Sequence, residues 1–451
     1  MLARKKLMAL AAVVLVVSTI LSACAQPTPE TVVEEVEVPV EVTKEVEVEV
    51  VVTATPVPAE PEKVTVSFMT MNLKDAFGDY IEGVIAAYET ENPNIEIEWI
   101  DVSSNQKEWT MANLVAGTLP DVFDQQASRG LPELASMGAL VDVEEYVTDA
   151  QMAEYFSSAW DGARLNGVAY GIPWYGGGRV FYWNKDLFQE AGLDPDVPPT
   201  TYTEALEIAR MIKERTTAPY GYAFYISDYL GTPMLMSEGV QFVDSDGAVA
   251  VNSERTAEVF DRWKTAYDEG IIPPEVVVDY EHSDVYADVN WFASGQAGML
   301  VRTGGGVIRN LPEGFNVGIG PAPEGTPYFF HYFAIPTQSE HPQEAVDFAL
   351  YFTNWENQLE FCKLVAVMPS TRKTAADAYF DQEPTTPAQE AAGYMLSELN
   401  DDSLVISLIP GWGEMVGVLK EHWSKQMLGE ETTEQALGEI EKAWNLIIAS
   451  Q

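Results

Sequence analysis

From Lys63 onward the hydrophobic spacing switches repeatedly between period two and period 3.6, and this alternation constrains the fold more than any other feature. Residues 64–69 alternate as a strand, and residues 76–90 set Phe77, Tyr80, Ile81, Val84 and Tyr88 on one helical face. Asn92-Pro93-Asn94 stops that helix, and residues 95–100 read as a second strand. A helix through residues 111–116 ends at Gly117, and Pro120-Asp121-Val122-Phe123 opens a third strand. Strand, helix, strand, helix, strand demands crossovers, so the class is α/β with a parallel sheet. Ligands of such sheets lie beyond the carboxyl ends of the strands. The segments after Met69 and Phe123 are therefore selected, with Asn72, Gln125, Gln126 and Arg129 as candidate binding residues.

The chain before Lys63 reads differently. Arg4, Lys5 and Lys6 precede an apolar run over residues 7–17, the pattern of an export signal occupying residues 1–23. Leu21-Ser22-Ala23-Cys24 resembles the bacterial lipoprotein box, which implies cleavage before Cys24 and lipid attachment to its sulfur. Within residues 24–62, Val and Glu alternate from Thr31 to Val52 between Pro-rich ends. So many like charges with no turn partner predict an extended acidic tether, although the alternation itself is that of a strand with one acidic face.

Charge excludes one class of partner. Lys and Arg total 25 against 70 Asp and Glu, a net −45, so no nucleic acid is expected as a ligand, since its phosphates need a basic surface. Two cysteines and four histidines provide neither a disulfide framework nor a zinc site, and no metal or cofactor is predicted. Cys362, in an apolar context, reads as core filler. The chain has no Gly-x-Ser-x-Gly elbow, His-Glu-x-x-His pair or Walker loop, so no catalytic residue is assigned. A surface glycoside-active enzyme using a carboxylate pair remains as a remote alternative.

Five further segments stand out, in order: Ala116-Gly117-Thr118-Leu119-Pro120-Asp121-Val122; Gly167-Val168-Ala169-Tyr170-Gly171-Ile172-Pro173; residues 181–193; Phe292-Ala293-Ser294-Gly295-Gln296-Ala297-Gly298-Met299; and Pro342-Gln343-Glu344-Ala345-Val346-Asp347-Phe348-Ala349. Together they resemble the family 1 extracellular solute-binding proteins of bacterial ABC importers. Residues 436–447 resemble the family's closing helix. The resemblance implies a type II, two-lobe periplasmic-binding-protein-like fold with two to three hinge segments, expected near Pro173, Pro321-Ala322-Pro323 and Met368-Pro369. Lobe 1 would hold residues 63–172 and 322–367, and lobe 2 residues 173–321 and 368–451. It further implies a monomeric, membrane-anchored extracytoplasmic receptor that captures a carbohydrate and delivers it to permease subunits.

Local chemistry refines these expectations. Asn184 or Asp186 caps a helix, Gly192 ends it, and Thr200-Thr201 with Glu204 forms a capping box into a helix over residues 202–213. Trp174 and Tyr175, taken as candidate ligand contacts, precede Gly176-Gly177-Gly178, which is either a flexible turn or a place where another group approaches the backbone closely. Trp412 and Glu414 lie in a loop where similar proteins carry an aromatic platform, and Asp228 is a further candidate ligand contact. There are departures from the family. Arg302-Thr303-Gly304-Gly305-Gly306 stands where many sugar-binding relatives have a tryptophan, and Phe330-His331-Tyr332 replaces paired glycines. Arg302 and Arg129 thus leave open an acidic sugar, a polyol or a phosphodiester as ligand, and His331 is a further candidate contact near the cleft.

Overall fold

The computed structural model describes residues 63–102, 106–126, 130–227, 230–244, 246–277, 287–365, 367–406 and 408–450, with the side chains of 304–306 excepted. The leader, the tether and Cys24, together with Arg129 and Asp228, lie outside these residues. The strands are β1 Val64–Met71, β2 Ile95–Val102, β3 Val122–Gln126, β4 Arg164–Leu165, β5 Val168–Ala169, β6 Ile172–Gly177, β7 Val180–Asn184, β8 Tyr220–Ala223, β9 Ala297–Arg302, β10 Val317–Pro321, β11 Phe329–Ala334 and β12 Met368–Pro369. They form a six-stranded sheet ordered β12-β6-β11-β3-β1-β2, a four-stranded sheet ordered β10-β7-β9-β8, and the small hairpin β4-β5.

The crossover pattern expected at the start of the body is present. β1 pairs in parallel with β2 from Val64↔Ile95 to Met71↔Val102, and with β3 through Phe68↔Val122. The helix Lys74–Glu91 returns the chain between them, burying Ile81, Val84, Ile85 and Tyr88 on one stripe. Beneath it Phe68 meets Phe333 and Phe348 edge-on, with ring centroids 5.3 and 5.1 Å apart. These rings come from β1, β11 and the helix Pro342–Phe352, so distant parts of the chain close one core.

The second sheet begins with local signals that behave as predicted. Asn184, not Asp186, is the helix cap: its Oδ1 accepts from the backbone N–H of Asp186 and of Leu187, at 3.0 and 3.2 Å. Gly192, at φ 76°, lets the Leu193 N–H reach back to the Phe188 carbonyl at 2.9 Å. The Thr201 hydroxyl accepts from Glu204 N–H at 3.1 Å, but the Glu204 carboxylate accepts from Thr200, one residue before the cap, at 2.8 Å. The helix that follows runs Tyr202–Arg215.

Strand pairing moves two of the expected passages between the sheets. Pro173 lies inside β6, which continues to Gly177 beside β11, so the chain first leaves the six-stranded sheet at Gly178-Arg179. β12 pairs with Gly176 and Tyr175 of β6, so Met368 and Pro369 belong to the six-stranded sheet and the last passage comes after them. The middle passage falls between β10 and β11, after Pro321.

Gly176-Gly177-Gly178 is where aromatic groups approach the backbone. A Cβ at Gly176 would come within 2.6 Å of Phe330, one at Gly177 within 2.8 Å of Phe329, and one at Gly178 within 2.9 Å of Tyr328 and Thr326. The bulk of β11 and the smallness of β6 are thus one arrangement: the glycines admit the rings.

Candidate functional site

The passages between sheets determine which edges face one another. β6 leaves the first sheet at Gly177 and β7 enters the second at Val180; β10 ends at Pro321 and β11 begins at Phe329. Given the pairing directions, the carboxyl ends of β1, β3 and β6 and the amino end of β11 share one edge. Opposite it lie the carboxyl ends of β8, β9 and β10 and the amino end of β7. Asn72, Gln126 and His331 occupy the first edge, and Arg302 the second.

A buried polar array marks the first edge. His331 pairs with Gln126 across β11 and β3. Its Nδ1 lies 2.8 Å from Asp124 Oδ1 and its Nε2 lies 2.7 Å from Gln126 Nε2. Asp124 and Gln126 are two residues apart on one strand, so both side chains stand on the same face. The Tyr175 ring stacks on the imidazole, with centroids 4.3 Å apart and planes 15° from parallel. Burial, and then the Asp124 carboxylate, hold the Tyr175 phenol well above its ordinary pKa, so this ring is a neutral wall. Asp124 and His331 are buried, whereas Gln126 at the strand end is half-buried.

A family model described as bacterial extracellular solute-binding protein matches residues 83–388. The chain belongs to that family. The sn-glycerol-3-phosphate-binding periplasmic protein UgpB of Agrobacterium fabrum (strain C58) is 22% identical, the match covering 82% of this chain and 83% of the relative. A periplasmic-binding protein from Synechococcus sp. MITs9220 superposes with a TM-score of 0.76 at 26% identity, covering 85% of this chain and 99% of that one. The cyclic alpha-maltosyl-1,6-maltose binding protein from Arthrobacter globiformis gives 0.73 at 22% identity, covering 86% and 100%.

Within this solute-binding protein the other candidate residues separate into edge and interior. Asn72 is exposed at the end of β1 with φ 54°, its N–H bonded to the Val102 carbonyl at 3.0 Å. Gln125 points to the opposite face from Gln126, is buried, and donates to Thr110 Oγ1 at 3.3 Å. Trp174 is wholly buried, stacked on Phe333 at 4.8 Å and packed against Phe361 at 4.9 Å. It is a core residue of the first sheet, and its partners are far away in sequence. Trp412 is also buried, against Phe242 at 5.3 Å and Trp444 at 6.5 Å. Glu414, two residues on, is exposed in the first turn of the helix Trp412–Leu428.

Arg302 is buried and ion-paired with Asp288, whose side chain is fully buried. The sequence drew attention to the arginine and not to its partner, which opens the helix Ala287–Ala293. Sequence reading also missed the rim of the cleft. Lys107 and Glu133, 3.8 Å apart on the helices Gln106–Ala116 and Leu131–Ser136, flank Gly413 from the other half of the molecule. A Cβ at Gly413 would lie 3.4 Å from Glu133 Oε1 and 3.7 Å from Lys107 Nζ, so the two halves approach closely at this point. Among the described residues no cluster of His, Cys, Asp and Glu is arranged to hold a metal ion. Burial pushes the Cys362 thiol up and leaves it a core group.

Proposed function

We propose that the protein is the lipid-anchored, extracytoplasmic receptor of an ABC importer, capturing a carbohydrate between two closing lobes and handing it to the permease. The observation that carries this reading is the polar array of Asp124, His331 and Gln126, walled by Tyr175, on a sheet edge that faces a second sheet. Fixed hydrogen-bonding groups beside a flat ring suit a sugar's hydroxyls and its C–H face. The sugar ligand named for the Arthrobacter globiformis protein supports the same reading.

One lobe carries the six-stranded sheet and the other the four-stranded sheet, onto which the helices Trp412–Leu428 and Thr433–Ser450 pack through the helix Glu254–Asp268. Ligand binds the closed arrangement better than the open one, and the permease reads closure. Cys24 carries the lipid, and residues 24–62 hold the body away from the membrane. The protein acts by binding and release, returning its ligand unchanged.

A second reading, a phosphorylated or otherwise anionic ligand, draws on the Agrobacterium fabrum relative. Against it stands Arg302, whose charge is already met by Asp288. A thermal-shift panel of neutral oligosaccharides and sn-glycerol 3-phosphate tests the two, because a ligand of the native state alone raises the midpoint by mass action. Stabilisation by neutral sugars is expected; stabilisation by the phosphate alone would replace the first reading with the second.

A further inference from the structure

We infer that Asp124 and His331 are positioning residues that fix Gln126 as a hydrogen-bond acceptor toward the cleft, so that the ligand group bound there is a hydroxyl donor and not an anionic oxygen. This rests on the receptor reading above and narrows its ligand class.

Three contacts fix the orientation of Gln126. A carboxylate accepts hydrogen bonds and does not donate, so the 2.8 Å contact between Asp124 Oδ1 and His331 Nδ1 places the ring proton on Nδ1. In the neutral ring Nε2 then carries a lone pair, and among the described residues it is the Gln126 amide N–H, at 2.7 Å, that serves it. Once the amide nitrogen is committed to the imidazole, the carbonyl oxygen on the same carbon is directed away from it. Among the described residues no donor is bonded to that oxygen. The ring itself cannot swing to reverse the order, because Tyr175 is stacked on one face and the strand register holds His331 opposite Gln126.

The consequence is chemical selection. Gln126 stands half-buried at the end of β3, on the edge facing the second sheet. An acceptor there pairs with a sugar or polyol hydroxyl. Phosphate or carboxylate oxygens have no proton to give, and would face a carbonyl dipole with Asp124 behind it. The opposite arrangement is equally definite: an imidazolium would donate from both nitrogens, Gln126 would turn its oxygen inward, and its NH₂ would favour an acceptor ligand.

Nitrogen-15 spectra of the ring distinguish these directly, in the chain from residue 24 with Cys24→Ser, with the His331 signals identified by their loss in His331→Leu. One protonated and one unprotonated ring nitrogen, with the proton on Nδ1, is expected; two protonated nitrogens, or a proton on Nε2, overturns the inference. The binding arm uses maltose, maltotriose, trehalose and sn-glycerol 3-phosphate. His331→Leu should weaken the neutral sugar that binds by about tenfold, the effect of one misdirected hydrogen bond. His331→Gln, which can still donate to Asp124 and accept from Gln126, should restore most of it. Equal losses in both variants, or binding of the phosphate in preference to every neutral sugar, contradict the inference. If no compound binds, the carbohydrate reading fails, and the nitrogen spectrum still decides the orientation of Gln126.

Discussion

Arg302 and Asp288 form an ion pair in which both side chains are almost wholly removed from water, at the edge of the second sheet that faces the first. An arginine that looks in sequence like an anion receptor is thereby occupied within its own half of the molecule. Removing one partner leaves the other charge buried without this counter-charge, which typically destabilises by about 3–5 kcal/mol. Arg302→Leu should therefore lower the urea midpoint strongly, and Arg302→Leu with Asp288→Leu should recover part of the loss. A variant of unchanged stability that loses an anionic ligand selectively would return Arg302 to the binding site.

Trp174 is predicted to act on stability. Its indole lies between Phe333 and Phe361 with no exposed surface, and truncating such a side chain removes both its transfer free energy and the packing around it. Trp174→Ala should cost about 3–5 kcal/mol in chemical denaturation.

The exchange of glycine for aromatic bulk between β6 and β11 predicts a coupled pair. Gly176→Ala puts a methyl within 2.6 Å of the Phe330 ring and 2.7 Å of the Phe329 carbonyl, and overpacking of this kind costs about 1–3 kcal/mol. Phe330→Leu should relieve the ring contact but not the carbonyl contact. A double-mutant cycle should therefore give a coupling energy well above zero but below the full effect of Gly176→Ala.

Asp401 sets a pH dependence. Arg372 donates to both its oxygens, at 2.7 and 2.6 Å, and Ser157 N–H adds a third bond at 2.9 Å, so its carboxyl is held well below the usual carboxylate range. A lowered native pKa contributes stability above the unfolded value, near 3.9, and that contribution disappears as the pH falls through the native value. Both partners are substantially exposed, so the effect is no more than about 1 kcal/mol. Asp401→Asn should remove it, and the variant and the parent should converge in stability as the pH falls from about 5 to below about 2, roughly the span of this titration.

Which features could be read in advance follows from how far apart the interacting residues lie. The Asn184 cap and the Gly192 terminus involve neighbours within five residues, and their chemistry was visible in the letters. The β1–helix–β2 crossover was legible because its period persists over several turns. Trp174 was misread because its burial is decided by Phe333 and Phe361, which only the sheet and a later helix bring near. Asp124 and His331, 207 positions apart, met only when β11 folded against β3. The glycines after Tyr175 showed that something approached closely, but not that it was the aromatic rings of β11.

The central claim is that a neutral carbohydrate is held between the two sheets and draws their halves together. Small-angle scattering from the chain beginning at residue 24, with Cys24→Ser, tests it most directly, with and without saturating amounts of each neutral sugar in the panel. The account predicts a smaller radius of gyration with a bound sugar, and no such change in a Gln126→Leu variant that no longer holds it. A sugar that binds tightly while the scattering stays the same, or compaction produced only by an anionic ligand, would contradict it.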